Sequence, residues 1–175
     1  MYKLKVQKLH PDAILPILAH TGDSAYDLYA IEDTVIEFGK VTRVRTGIAA
    51  QAVRENWEWV GERLPLGLLV RDRSSMALKG LKTLAGVIDS GYTGEIMVLM
   101  TLFDSSAKHR GAIPKVAGSD WPWKSGYLIK AGTAFAQVLP HEVCTGEVEE
   151  VDCLEATERG GRGFGSSDKH TNNGE

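Results

Sequence analysis

Short runs of alternating polar and apolar residues, cut at close intervals by turn formers, limit what this 175-residue chain can fold into. Leu4 and Val6 alternate with Lys3, Lys5 and Gln7, the period-2 pattern of a half-buried strand. Comparable runs predict strands over 35–38, 41–49, 67–71, 96–103, 127–129 and 134–139, with a last one over 147–151. Only 75–82 and 50–56 read as short helices. No internal repeat is present. So many strands with so little helix predict an all-β fold, an antiparallel jelly roll or distorted barrel with one short helix.

Composition narrows the function classes. A 43% apolar and 25% charged chain is ordinary for a globular protein, large enough to build a core without disulfides. Net charge is −3 with no long basic run, which argues against nucleic acid as the main partner. No apolar stretch is long enough to span a bilayer and MYKLKVQKLH has no apolar leader, so no membrane partner is expected. Cys144 and Cys153 lack zinc-type spacing and read as reduced thiols in a cytoplasmic protein.

The expected organisation is a barrel over 1–154 and a flexible Gly-rich tail over 155–175, where apolar residues nearly vanish. Residues 104–126 form a polar connection long enough to be functional, and its Trp121-Pro122-Trp123 cannot occupy a central strand. Trp57 and Trp59 share a strand-like spacing and, like that second pair, read as packing or local interface.

Five segments could carry chemistry. Residues 24–28 (SAYDL) put one acidic group, Asp27, in a short strand, where a structural hydrogen-bonding role is the simpler reading. Arg73-Ser74-Ser75 opens a helix with two hydroxyls beside a guanidinium. That makes an anion site, or equally a plain serine N-cap. Residues 86–95 (GVIDSGYTGE) read as the end of a buried strand, Val87 and Ile88, then a tight hairpin at Ser90-Gly91. Asp89 at that junction faces the same opening as Tyr92, placed as a general base toward water or as an Asp capping its own turn. Residues 132–137 set Gln137 in a buried-looking strand. Residues 159–167 (RGGRGFGSS) combine arginine forks, glycine N–H groups, serine hydroxyls and one aromatic, the parts for holding a nucleotide by both ends. Composition alone reads the same stretch as a disordered tail. It is not a P-loop, because Ser166 stands where the lysine belongs.

In sequence and in order, these five segments resemble the five motifs of the trimeric dUTP pyrophosphatases (dUTPases), over residues 23–167. The resemblance implies a jelly-roll homotrimer with active sites shared between subunits. It also implies hydrolysis of dUTP to dUMP and pyrophosphate, with Mg2+ held mainly by substrate phosphates and water. On this chain, Asp89 matches the base that activates the attacking water, and Tyr92 the ring beneath the deoxyribose. Uracil would pair with backbone of the hairpin around Val87, Ile88 and Met97. Arg73, Ser74, Ser75 and Gln137 match phosphate contacts, and Arg159 the γ-phosphate contact. Phe164 would cover uracil while Gly165, Ser166 and Ser167 close on the phosphates. Asp27 matches a supporting aspartate.

The chain also departs from that pattern. Asp72 replaces a usual proline, Thr83 a frequent asparagine near uracil, and Thr133-Ala134-Phe135 the usual Asp-Arg-Ile. Arg162 and Asp168 replace tail glycines, and the 104–126 connection is longer than usual. A dCTP deaminase shares the fold but needs a glutamate where Leu99 stands, and an aliphatic side chain moves no protons. A nucleotide-gated binding protein, contacting a partner through 104–126, is the reading from another class.

Overall fold

The structure, a computed structural model, describes residues 2–54, 66–103, 126–143 and 146–161. The chain divides into two units, Met1–Cys144 and Thr145–Glu175.

Among its described residues the first unit has eleven strands and one helical turn. The strands are β1 (Tyr2–Lys8), β2 (Tyr26–Tyr29), β3 (Thr34–Glu37), β4 (Val41–Arg45), β5 (Ile48–Arg54) and β6 (Leu66–Asp72). After α1 (Ser74–Ala77) come β7 (Leu81–Leu84), β8 (Val87–Ile88), β9 (Met97–Leu102), β10 (Gly126–Ile129) and β11 (Ala134–Glu142). Every paired strand is antiparallel to its neighbour. The pairing is nested: β2 with β11, β3 with β10, and β4 with β9. A long hairpin whose early strands pair with late ones in reverse order is the topology of a jelly roll, the expected fold.

Alternation sets what is buried. On β9, Val98, Met100 and Leu102 are buried while Met97, Leu99 and Thr101 are not. They meet Leu28, Ile36, Val44, Leu81, Ile129, Phe135 and Val138 in one core. Each such fully buried side chain contributes roughly 1.5–3 kcal/mol of transfer free energy.

Four local expectations are corrected. Residues 50–54 are strand, because Ile48–Arg54 ladders along the whole of β1, from Tyr2 opposite Arg54 to Lys8 opposite Ile48. A complete tertiary ladder outweighs the weak helix preference of AAQAV. The helix expected over 75–82 is a single turn, ended at Gly80 (φ +77°), and Lys82 lies on β7 opposite Thr101. The run 41–49 is two strands, divided at Thr46, whose buried Oγ1 donates to the Ile96 carbonyl at 2.6 Å. Residues 147–151 are not a strand: Val148 is fully exposed, so its alternation has nothing to pack against.

In the second unit, residues 146–161 carry neither helix nor strand. The Gly160 N–H donates to the Thr157 carbonyl at 3.0 Å, and Cys153 is an exposed free thiol. Cys144, residues 104–125 and both tryptophan pairs lie outside the described residues. Among the described residues no helix is long and apolar enough to cross a membrane.

Candidate active site

The candidate residues gather at two places, both attached to β6. At its C-terminal end β6 delivers Asp72 and Arg73, and Arg73 is the N-cap residue of α1. Arg73 makes no capping bond. Its Nε lies 2.8 Å from Asp27 Oδ1, and its Nη1 donates to the Ala134 carbonyl at 2.8 Å. Asp27, on β2, is only 8% exposed, so its carboxylate fixes the guanidinium from beneath. The two β-strand neighbours of β11 put Asp27 and Arg71 directly opposite Gln137. Gln137 Nε2 donates to the Asp72 carbonyl at 2.8 Å. Ser74 and Ser75 are exposed in α1, and neither serves as its N-cap.

Asp72 braces this end. Its carboxylate pairs with Lys82 Nζ and accepts the Thr83 N–H at 2.6 Å, tying the end of β6 to β7. Burial pushes the Asp72 carboxyl up, but Lys82 and the Thr83 amide and hydroxyl outweigh it and hold it below the usual range. A carboxyl that titrates lower in the folded state stabilises the fold above its unfolded pKa of about 3.9. That contribution is lost as pH falls through the lower folded value. Asp72→Asn should therefore cost stability at neutral pH, with the gap to wild type closing as pH falls below that unfolded value in urea melts. A gap that stays constant across that range would contradict the brace.

The second place is the segment after β8. Here β8 pairs with β6, Leu68 opposite Ile88 and Leu69 opposite Val87. A turn follows in which the Tyr92 N–H donates to the Asp89 carbonyl at 3.0 Å. The turn is closed by main chain, so the Asp89 carboxylate is not its cap. That carboxylate is exposed and makes no hydrogen bond or ion pair among the described residues. Tyr92 is 43% exposed, and its hydroxyl donates to the Glu95 carbonyl at 3.0 Å. The ring lies on Gly94, where a Cβ would come within 2.6 Å of the Tyr92 oxygen.

Two readings of this segment change. The residues after Asp89 do not form a laddered hairpin, since β8 joins β6 while β9 joins β4 and β7. Val87 is not a buried strand end but 73% exposed, with Ile88 half-buried. Met97 starts β9 exposed, and Thr83 sits on β7 opposite Met100. The far end of the loop is anchored by Glu95, whose carboxylate accepts Arg45 Nε at 3.2 Å, Arg45 Nη2 at 3.2 Å and the Gly47 N–H at 2.9 Å. Sequence reasoning missed Glu95, Arg45 and the bracing role of Asp72. Only the charges themselves were visible, because each partner lies on a strand distant in sequence.

Continued by one residue, the register of β8 on β6 places Asp89 beside Gly67 at the start of β6, six positions before Arg73, which follows the last residue of that strand. At about 3.3 Å per residue the two ends are separated by roughly 20 Å. One chain therefore presents Asp89 and Arg73 at opposite ends of β6. Arg159 lies among the described residues of the second unit, whereas Phe164, Gly165, Ser166 and Ser167 lie outside the described residues. Among the described residues, no three carboxylate, imidazole or thiol groups converge as a metal site.

Comparison with known proteins identifies the family. A family model described as dUTPase matches residues 12–108. The deoxyuridine 5′-triphosphate nucleotidohydrolase of Clostridioides difficile is 34% identical, covering 95% of this chain and 99% of its own. Among solved structures, the dUTPase of Staphylococcus bacteriophage 80alpha with dUPNHPP superposes with a TM-score of 0.72 at 24% identity, covering 94% of this chain and 98% of that one. A mutant dUTPase of phage phi11 of S. aureus, in which a structural Mg(II) ion is coordinated, gives 0.65 at 23% identity over 88% and 99%. Matched by that family model over residues 12–108 and by the C. difficile enzyme across 95% of its length, the chain belongs to the dUTPase family.

Proposed function

We propose that this protein hydrolyses dUTP to dUMP and pyrophosphate, keeping uracil out of DNA and supplying dUMP for thymidylate synthesis in the cytoplasm. The observation that carries the mechanism is the Asp89 carboxylate, exposed at a turn closed by main chain and engaged by none of the described residues. It is available to take a proton from water. The water oxygen then attacks the α-phosphorus, and the bond from that phosphorus to its bridging oxygen breaks. Pyrophosphate leaves, and the proton goes to Asp89.

Arg73, Ser74, Ser75 and Gln137 hold the phosphates, with Asp27 supporting Arg73. Charge stabilisation by such fixed donors does most of the work in phosphoryl chemistry. The main chain of Val87, Ile88 and Met97, with Thr83 nearby, reads the uracil edge, and Tyr92 packs under the deoxyribose. Arg159, Phe164, Gly165, Ser166 and Ser167 complete the substrate contacts from the tail. Mg2+ fits as a substrate-borne ion, since triphosphate oxygens and water satisfy its octahedral preference without a cage of protein carboxylates.

The separation of Asp89 from Arg73 supports a site assembled from different chains, and membership of the dUTPase family supports a homotrimer with three equivalent sites. Pyrophosphate release from dUTP, dCTP, dTTP and UTP at equal concentration tests the reading. We expect dUTP to exceed each of the others at least about a hundredfold: cytosine reverses the hydrogen-bonding pattern at the 4-position, thymine adds a 5-methyl with no space for it, and UTP brings a 2′-hydroxyl against Tyr92. Equal rates would overturn it.

A further inference from the structure

We propose that Arg71 is a substrate-binding residue of this chain, a further guanidinium that contacts the triphosphate beside Gln137. The inference rests on the reading of the protein as a dUTP hydrolase. Three strands place the residue. Asp27 on β2, Gln137 on β11 and Arg71 on β6 are consecutive Cα partners, so their side chains form one row across one face of the sheet. Directly opposed residues stand about 5 Å apart, within reach of one phosphate group. Arg73 follows Arg71 by two along an extended backbone, which returns it to the same face.

Charge then decides what the row can bind. Arg73 is already held by Asp27 at 2.8 Å and by the Ala134 carbonyl, so a carboxylate offsets its cation. Residues 133–135 are Thr-Ala-Phe and bring no cation. Without Arg71, the Asp27–Arg73–Gln137 group would meet a polyanion with no net positive charge. Arg71 is exposed and, among the described residues, its guanidinium has no hydrogen bond or ion pair. A free planar fork registered beside the Gln137 amide suits two oxygens of one phosphate. Its position at the far end of the row from Asp27 lets it keep its charge for the substrate.

Equilibrium binding of an α,β-imido dUTP analogue and of dUMP to wild type, Arg71→Gln and Arg71→Lys tests this, with size-exclusion chromatography on each. We expect Arg71→Gln to weaken the analogue roughly tenfold while dUMP changes less than about twofold. Arg71→Lys should fall between, with the wild-type advantage shrinking as salt rises. The elution volume should not change. Equal analogue affinity in wild type and Arg71→Gln would overturn the assignment, and so would an equal loss for analogue and dUMP. A loss of affinity accompanied by a changed assembly state would also overturn it, by making Arg71 an interface residue. A wild-type protein that binds neither nucleotide would overturn the dUTP reading itself.

Discussion

Asp89→Asn is expected to bind dUTP with near-wild-type affinity while kcat falls at least about a hundredfold, the loss typical of a removed general base. The carboxamide has the shape of the carboxylate but cannot accept the proton of the attacking water. Because the Asp89–Tyr92 turn is closed by the main-chain carbonyl at 3.0 Å, the substitution leaves the turn intact. Single-turnover kinetics and binding of a non-hydrolysable analogue separate the two effects. Near-wild-type turnover would remove Asp89 from the mechanism.

The same variant reports where the site is assembled. If Asp89 and Arg73 act on one substrate from different chains, mixing Asp89→Asn with Arg73→Ala subunits rebuilds intact sites. In random closed trimers about one site in four should then be intact, so about a quarter of wild-type activity returns from two inactive parents. Carrying both substitutions on one chain should abolish that recovery on mixing with itself. No recovery in the mixed trimers would mean that one chain supplies both residues, contrary to the separation imposed by β6.

What could be read from the sequence follows the range of the interactions involved. Alternation on 96–103 or 134–139 records burial on one face of a strand, a local property, and those strands form over Met97–Leu102 and Ala134–Glu142. The helix expected at 50–56 fails over 50–54 for a non-local reason, since the β1 ladder makes those five residues a strand. Asp89 was legible because a carboxylate beside a glycine turn is a local pattern. Glu95 was not, because its value lies in Arg45 and the Gly47 amide across a strand junction. Asp72 looked like a defect where a proline is usual, yet its carboxylate and its carbonyl join Lys82, Thr83 and Gln137 into one brace. The loop at 89–96 looked like a hairpin because Asp89–Tyr92 is a tight turn, while the sheets its ends join are decided elsewhere.

Gly86→Ala should be the most damaging single-methyl change near the site. Gly86 links β7 to β8, and its carbonyl accepts the Val70 N–H at 2.7 Å. A Cβ there would lie 2.4 Å from the Val70 carbonyl oxygen. The obstacle is backbone in the middle of β6, with no side chain to turn aside, so the strands must part or the bond must break. Overpacking of this kind costs roughly 3 kcal/mol. In a chain of this size that is a Tm lower by about 6–12 °C. Activity should fall further than stability, because the displaced strand carries Val87 and Ile88 and ends at Asp89. Thermal melting together with kcat well below the melting range distinguishes the two. A melting point within about 2 °C of wild type would mean that the β6–β8 contact is looser than 2.4 Å implies. Unfolding without a prior loss of activity would mean that Asp89 is positioned independently of β8.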